Sequence, residues 1–401
     1  MNEVTIVGAG FSGLTLAYYL QKLGLKPVII EKQSHCGGLI SSVRTDHGLV
    51  ESAANALLAD VPMEDLFSDL GVEFAVRLPA RKKRYIYWTR PQQWPLSAMA
   101  SIRALWGLVR FVLGFSSGRP RNGETIKSWA TRVFGSEFEE RLLSPALQGI
   151  YAGNPERLSA KLVVGSAMRP KTKKRLRGSV SPRNGMGDLL AALRERVIKN
   201  GAEIKTDQEY VIPKTLTGPT VICTSAWSAA QIVAGYDQSL ADLLEQCESL
   251  PVVSTTAFFE HSKKDIQGFG CLFPQSQRFN SLGVLFNSCI FRERSHLRSE
   301  TWIMGGFAQP KVFELTDDQI LDLILRDRKK MVGLDERPLS FKVNRWPRAL
   351  PHYTIDWEKA LANLQVERPL YLHGNYLGAI GLSRICARSR KLAQEIRESY
   401  G

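Results

Sequence analysis

The chain has 401 residues, 44% of them hydrophobic, enough to bury one large core or two joined domains. Its 53 Lys and Arg against 39 Asp and Glu give a net charge of +14. No zinc finger, aromatic RNA-binding signature or helix-turn-helix goes with that excess, which disfavours nucleic acid and leaves anionic lipid or a polycarboxylate molecule as the expected partner.

No apolar run is long enough to cross a bilayer, and the start lacks a basic n-region and a cleavage signal. The six cysteines form no C-x-x-C pair and the six histidines no ligand spacing. We therefore expect reduced thiols, no metal site and no export: a cytoplasmic protein, at most peripheral on the inner membrane face. Oligomeric state is not legible.

Val4-Thr5-Ile6-Val7 reads as a buried strand, followed by Gly8-Ala9-Gly10-Phe11-Ser12-Gly13 and an apolar helix from Leu14 to Leu23. A second strand, Val28-Ile29-Ile30, ends at Glu31. This is the G-x-G-x-x-G turn of a dinucleotide fold with its acidic residue about twenty positions on. Gly8 permits the tight turn, Gly10 admits a pyrophosphate, and Gly13 lets the helix pack on the strand. The helix N-terminus offers amides and dipole to phosphates, and Glu31 is placed for ribose hydroxyls. Cys36-Gly37-Gly38 follows at once. This second close backbone approach favours FAD, although an NAD enzyme could begin in the same way.

From about Arg81 to Val180 the pattern is mainly helical, beginning with the basic run Arg81-Lys82-Lys83-Arg84. Within it, Ser101 to Phe115 is an apolar helix that suits either an in-plane membrane position or the interior of a substrate domain. A second basic run, Arg169 to Arg177, reads as an anion contact or a solvated loop. Asn184-Gly185-Met186-Gly187 opens a helix from Leu189 to Lys199, then come strands Ala202–Lys205 and Thr220–Thr224. Strand-like stretches follow at Val252–Phe259, Gly270–Phe273, Leu282–Phe291 and Thr301–Met304, then a helix from Asp317 to Met331. Strand Leu370–Leu372, a glycine-rich turn and a helix from Cys386 to Ser399 close the pattern. The fold class expected is α/β. A Rossmann-like cofactor domain is built from residues 1–80, 181–250 and 346–401, an α+β substrate domain from 251–345, and a helical, membrane-facing insertion from 81–180.

Further blocks carry a resemblance. Leu143-Ser144-Pro145 with Gly149-Ile150-Tyr151-Ala152-Gly153-Asn154-Pro155, Arg345-Trp346-Pro347-Arg348-Ala349-Leu350-Pro351, and Gly374-Asn375-Tyr376-Leu377-Gly378 resemble the protoporphyrinogen oxidase family of the flavin amine-oxidase superfamily. The resemblance implies FAD as cofactor and oxidation of a porphyrinogen by hydride transfer, with oxygen or another acceptor. The cofactor residues it implies, with the fingerprint, are Gly8, Gly10, Phe11, Ser12, Gly13, Glu31, Lys32, Gly37, Gly38, Asn55, Val211, Trp346, Gly374, Asn375, Gly381 and Leu382. Glu51 falls beside the flavin. Arg84 matches the arginine that holds a substrate propionate, Gly149 a glycine facing the macrocycle, and Leu282 and Ile303 the apolar grip on the ring, with plain core packing the alternative for that pair. No acid–base pair is nominated.

Departures also show. Ser52-Ala53-Ala54 replaces a Gly-Pro, Arg384 and further arginines crowd the last helix start, and little chain lies between Tyr210 and Thr220. A coproporphyrinogen, another amine oxidase or desaturase reaction, or flavin or porphyrin binding without turnover stay open beside the protoporphyrinogen reading.

Overall fold

The computed structural model describes residues 3–165, 178–378 and 380–400, so the basic run at 169–177 lies outside the described residues. A five-stranded, wholly parallel sheet runs Leu370–Leu372, Thr220–Ile222, Glu3–Val7, Lys26–Ile30, Glu203–Lys205 in spatial order. Its strands are short β-branched runs (VTIV, PVII, TVI), as a sheet covered on both faces requires. Helices Phe11–Lys22, Met186–Lys199 and Leu382–Tyr400 bury their apolar stripes on one face. Ile126–Phe134, Ala226–Val233, Gln238–Glu245 and Ile355–Ala362 contribute to the core on the other.

A second, seven-stranded sheet is mixed. Its order is Ser340–Pro351, Ser249–Phe259, Arg298–Gly305, Gly283–Phe286, Gly270–Leu272, Arg84–Trp88, Arg90–Gln92. Two sequence expectations are corrected here. Residues 84–92 are not helical: Arg84–Trp88 joins Gly270–Leu272 in parallel, a partnership nearly 190 residues away that no local pattern announces. The expected strand Leu282–Phe291 ends at Phe286 and turns into a helix, Asn287–Ile290. Asn287 breaks the ladder because its side-chain amide donates to Thr301 Oγ1 at 2.7 Å.

Helix Ala98–Val112 starts at Ser97, whose hydroxyl accepts from the Ala100 amide at 3.2 Å. Only Ala100, Ala104 and Gly107 are buried on it, a small-residue stripe along one face. A Cβ at Gly107 would lie 2.5 Å from the Val133 carbonyl, so the stripe is what lets the helix approach Ile126–Phe134 so closely. Met99, Ile102, Leu105, Trp106 and Val112 form an exposed apolar face, with Arg103 and Arg110 among them. It is therefore not an interior helix. Among the described residues, no helix is long and apolar enough to cross a membrane.

Candidate functional site

One continuous cavity of about 2490 Å³ runs from the fingerprint turn to the floor of the seven-stranded sheet. Single small-molecule pockets hold roughly 300–1,000 Å³, so this space is larger than one such ligand needs.

At its first end the glycines act as backbone, not as spacers. Gly8 has φ +104°, and a Cβ on Gly13 would sit 2.0 Å from the Gly8 carbonyl, so helix and strand meet only because Gly13 has none. Gly10 bridges to Gly37, whose amide donates to the Ala9 carbonyl at 2.9 Å. Helix Phe11–Lys22 begins at Gly10 with no side-chain cap and no acid in its first turn, leaving its leading amides for an anion. Glu31 accepts from the Ala9 amide at 2.6 Å through Oε2 and from the Gln33 amide at 2.9 Å through Oε1. A carboxylate has about four lone-pair positions, so two remain for ribose hydroxyls. These residues fit a dinucleotide. Lys32, paired with Glu209 at 2.7 Å, and the exposed Val211 edge this end.

Midway, Trp346 Nε1 donates to the Ser52 carbonyl at 2.8 Å, fixing the Ser52-Ala53-Ala54 loop against the cavity. Ser52 uses its hydroxyl to donate to the Leu39 carbonyl (2.6 Å) and accept from the Ser41 amide (2.7 Å). Ser52 thus ties two cavity loops together. Behind the loop, Glu51 meets Arg294 at 2.5 Å and accepts from Ser42 Oγ and the Met186 amide. Burial raises the Glu51 pKa and lowers that of Arg294.

Opposite, the Tyr353 hydroxyl donates to the Asn375 carbonyl, and Gly381, Leu382, Ser383 and Arg384 bring the start of helix Leu382–Tyr400 to the cavity wall. That first turn carries no acid, so dipole and Arg384 together favour negative charge there. Arg388 donates to the Leu377 carbonyl at 2.7 Å and so pins the glycine-rich turn. Beneath it the fully buried His373 faces Ser389 Oγ at 2.8 Å, and Ser389 donates onward to the Ile385 carbonyl at 3.0 Å. His373 is therefore neutral with its proton on Nε2, and burial pushes its pKa down to about 3.

The far end is mostly apolar, with Gly149, Ile150, Ala152, Val252, Ile303, Ala349 and Leu350 beside Ser249, Ser254 and Arg348, and Leu108, Phe111 and Val112 of the exposed helix line the same cavity.

Of the sequence-predicted residues, Gly8, Gly10, Phe11, Ser12, Glu31, Lys32, Gly37, Gly38, Val211, Trp346, Gly374, Asn375, Gly381, Leu382, Gly149 and Ile303 all line this cavity. Four do not. Gly13 lies under the turn. Asn55 is turned to its own loop, its carbonyl taken by Arg294 Nη2 at 2.8 Å. Leu282 is packed behind Ile303 with Ala152, Leu250 and Val252, in the core. Arg84 is exposed on its strand with its guanidinium 4.6 Å from the Phe269 ring centre, off the cavity, because residues 84–88 joined the sheet. Arg294, Trp227, Arg119 and Arg348 were missed. Only Arg348, inside the quoted R-W-P-R block, carried a local signal.

Residues 11–380 match the family described as flavin containing amine oxidoreductase. The chain is 25% identical over 471 residues to a chloroplastic protoporphyrinogen oxidase of Nicotiana tabacum, covering 98% of this chain and 85% of that one. It is 22% identical over 429 residues to the coproporphyrinogen III oxidase of Bacillus subtilis (strain 168), covering 91% and 90%. The structure of putrescine oxidase bound to putrescine superposes with a TM-score of 0.76 at 14% identity over 98% of both chains. The chain belongs to the flavin-containing amine oxidoreductase family. It is an FAD-dependent oxidoreductase, and its resemblance to protoporphyrinogen oxidases runs from end to end.

Proposed function

We propose that the chain oxidises a porphyrinogen to the corresponding porphyrin. One observation supports this over an amine substrate: the charge of the cavity. Its carboxylates are Glu31 and Glu209 at the ribose end and Asp60, which caps helix Val61–Leu70 by accepting from the Met63 amide. Among the described residues its cations are Lys32, Arg119, Arg348 and Arg384. An ammonium substrate would meet like charge, whereas a macrocycle with propionate arms puts its greasy ring on Ile303 and Leu350 and its carboxylates toward arginine. The role assigned by sequence to Arg84 passes to these cavity arginines.

When bound, FAD would supply a two-electron acceptor for each of three oxidations, each removing one hydride and one proton from the macrocycle, and would be re-oxidised by oxygen or another acceptor each time. The chain's own residues supply a slot poor in water and a rigid frame for the two rings. Trp346 and Ser52 hold one wall, and the helix start at Leu382 holds the other. Arg119 and Arg348 suit the carboxylates of coproporphyrinogen as well, and that substrate is the second reading. We also propose that helix Ala98–Val112 lies on an anionic membrane, since its exposed apolar face adjoins the cavity residues Leu108 and Val112.

Anaerobic mixing of the flavin-loaded protein with each chemically reduced porphyrinogen tests the reading. Bleaching of the yellow flavin, then porphyrin fluorescence on admitting air, is expected. Flavin that stays oxidised with both porphyrinogens but bleaches with an amine overturns it.

A further inference from the structure

The long strands Ser249–Phe259 and Ser340–Pro351 pair antiparallel but lose register near the cavity. Val252 faces Trp346 and Leu250 faces Leu350, so Pro347, Arg348 and Ala349 stand opposite the single residue Pro251. Proline has no amide hydrogen to give to the ladder, and one on each strand makes the break cheap. A bulge of this kind redirects the side chains it carries. Here Arg348 lines the cavity and lies with its guanidinium 4.7 Å from the ring centre of Trp227, which also lines it from the first turn of helix Ala226–Val233. Among the described residues no hydrogen bond or ion pair engages the Arg348 guanidinium.

An indole plate under a guanidinium fixes its plane and leaves the N–H edges open, the arrangement that grips a carboxylate through two parallel bonds. We propose that Arg348, oriented by Trp227, is the specificity residue that reads a carboxylate on the substrate's rim. The assignment rests on the porphyrinogen reading for the ligand's identity. It makes the acid form of a tetrapyrrole a far better ligand than the same ring with its carboxylates esterified. Lysine is a poor substitute, because an ammonium offers a point charge in place of a fork. Trp227 serves by stacking, so phenylalanine replaces it better than alanine does.

The test is equilibrium binding, followed by the porphyrin absorption band, of coproporphyrin and of its tetramethyl ester to flavin-loaded protein. Arg348→Gln is expected to weaken coproporphyrin binding about tenfold, the scale of one charge-assisted contact, and to leave the ester unchanged. Arg348→Lys recovers part of the loss. Trp227→Ala reproduces part of it, and Trp227→Phe does not. The assignment is overturned if Arg348→Gln binds the acid as wild type does, if it loses acid and ester equally, or if wild type binds neither. Should coproporphyrin bind in an Arg348-dependent way while porphyrinogens leave the flavin oxidised, the proposed reaction falls and the role of Arg348 stands.

Discussion

Glu51 and Arg294 face each other at 2.5 Å with each about 2% exposed, and they join the end of strand Gly48–Glu51 to the helical turn Arg292–Arg294 across 243 residues of chain. Arg294 also donates to Ser181 Oγ at 2.6 Å and to the Asn55 carbonyl. Burial acts against both charges, so each is tolerable only beside the other. Arg294→Met leaves a buried carboxylate alone and is expected to cost about 3–5 kcal/mol, read by urea unfolding, with loss of bound flavin. Pairing it with Glu51→Leu should recover much of that stability. A double variant as unstable as the single one would show that the pair is not the cause.

Arg84 stands off the cavity, and its substitution separates the structure from the sequence expectation. Arg84→Ala should leave KM for either porphyrinogen within about twofold of wild type, the effect of a solvated surface charge. A tenfold rise would return the carboxylate role to Arg84.

Helix Ala98–Val112 exposes Leu105 at 63% and Trp106 at 58%. Replacing both with Glu removes roughly 1.5–3 kcal/mol of apolar burial per side chain at a lipid interface and adds repulsion from anionic headgroups. Co-sedimentation with phosphatidylglycerol vesicles should be lost while the melting temperature holds. Wild type that ignores such vesicles sinks the membrane proposal.

His373 sets a pH dependence. Its pKa falls from the ordinary 6.5 to about 3 on folding, so the unfolded chain binds the proton first. Its contribution is complete above pH 6.5 and drains as pH falls from 6.5 toward 3, at up to about 1.4 kcal/mol per unit. His373→Gln keeps a donor for Ser389 and removes the titration. Stability measured from pH 7 to 5 should fall less steeply in the variant. Parallel slopes would place the acid sensitivity elsewhere.

The dinucleotide end was legible because its chemistry is local: Gly8 to Gly13, Glu31 and Gly37-Gly38 carry their geometry in adjacent residues. The substrate end was less so. Arg84 lies off the cavity because strand Arg84–Trp88 finds its partner at Gly270–Leu272, an alternation that helical neighbours hid. The Glu51–Arg294 pair was invisible because nothing near either residue specifies the other. Arg348 lay in a quoted block, but its aim depends on a slip against Pro251, a property of two strands read together. Leu282 and Ile303 show the limit of pattern: both are apolar neighbours, and only the fold puts one in the wall and the other behind it.

The parallel sheet takes strands from the first thirty residues, from 203–222 and from 370–372, and the last of these pairs with Thr220–Ile222. A ribosome therefore has to release the chain through residue 372 before this sheet closes, and through helix Leu382–Tyr400 before that helix reaches the nucleotide. Until then the early strands expose unpaired edges, so loading with flavin is a late event in biogenesis, and nascent chains are most vulnerable to aggregation just before it.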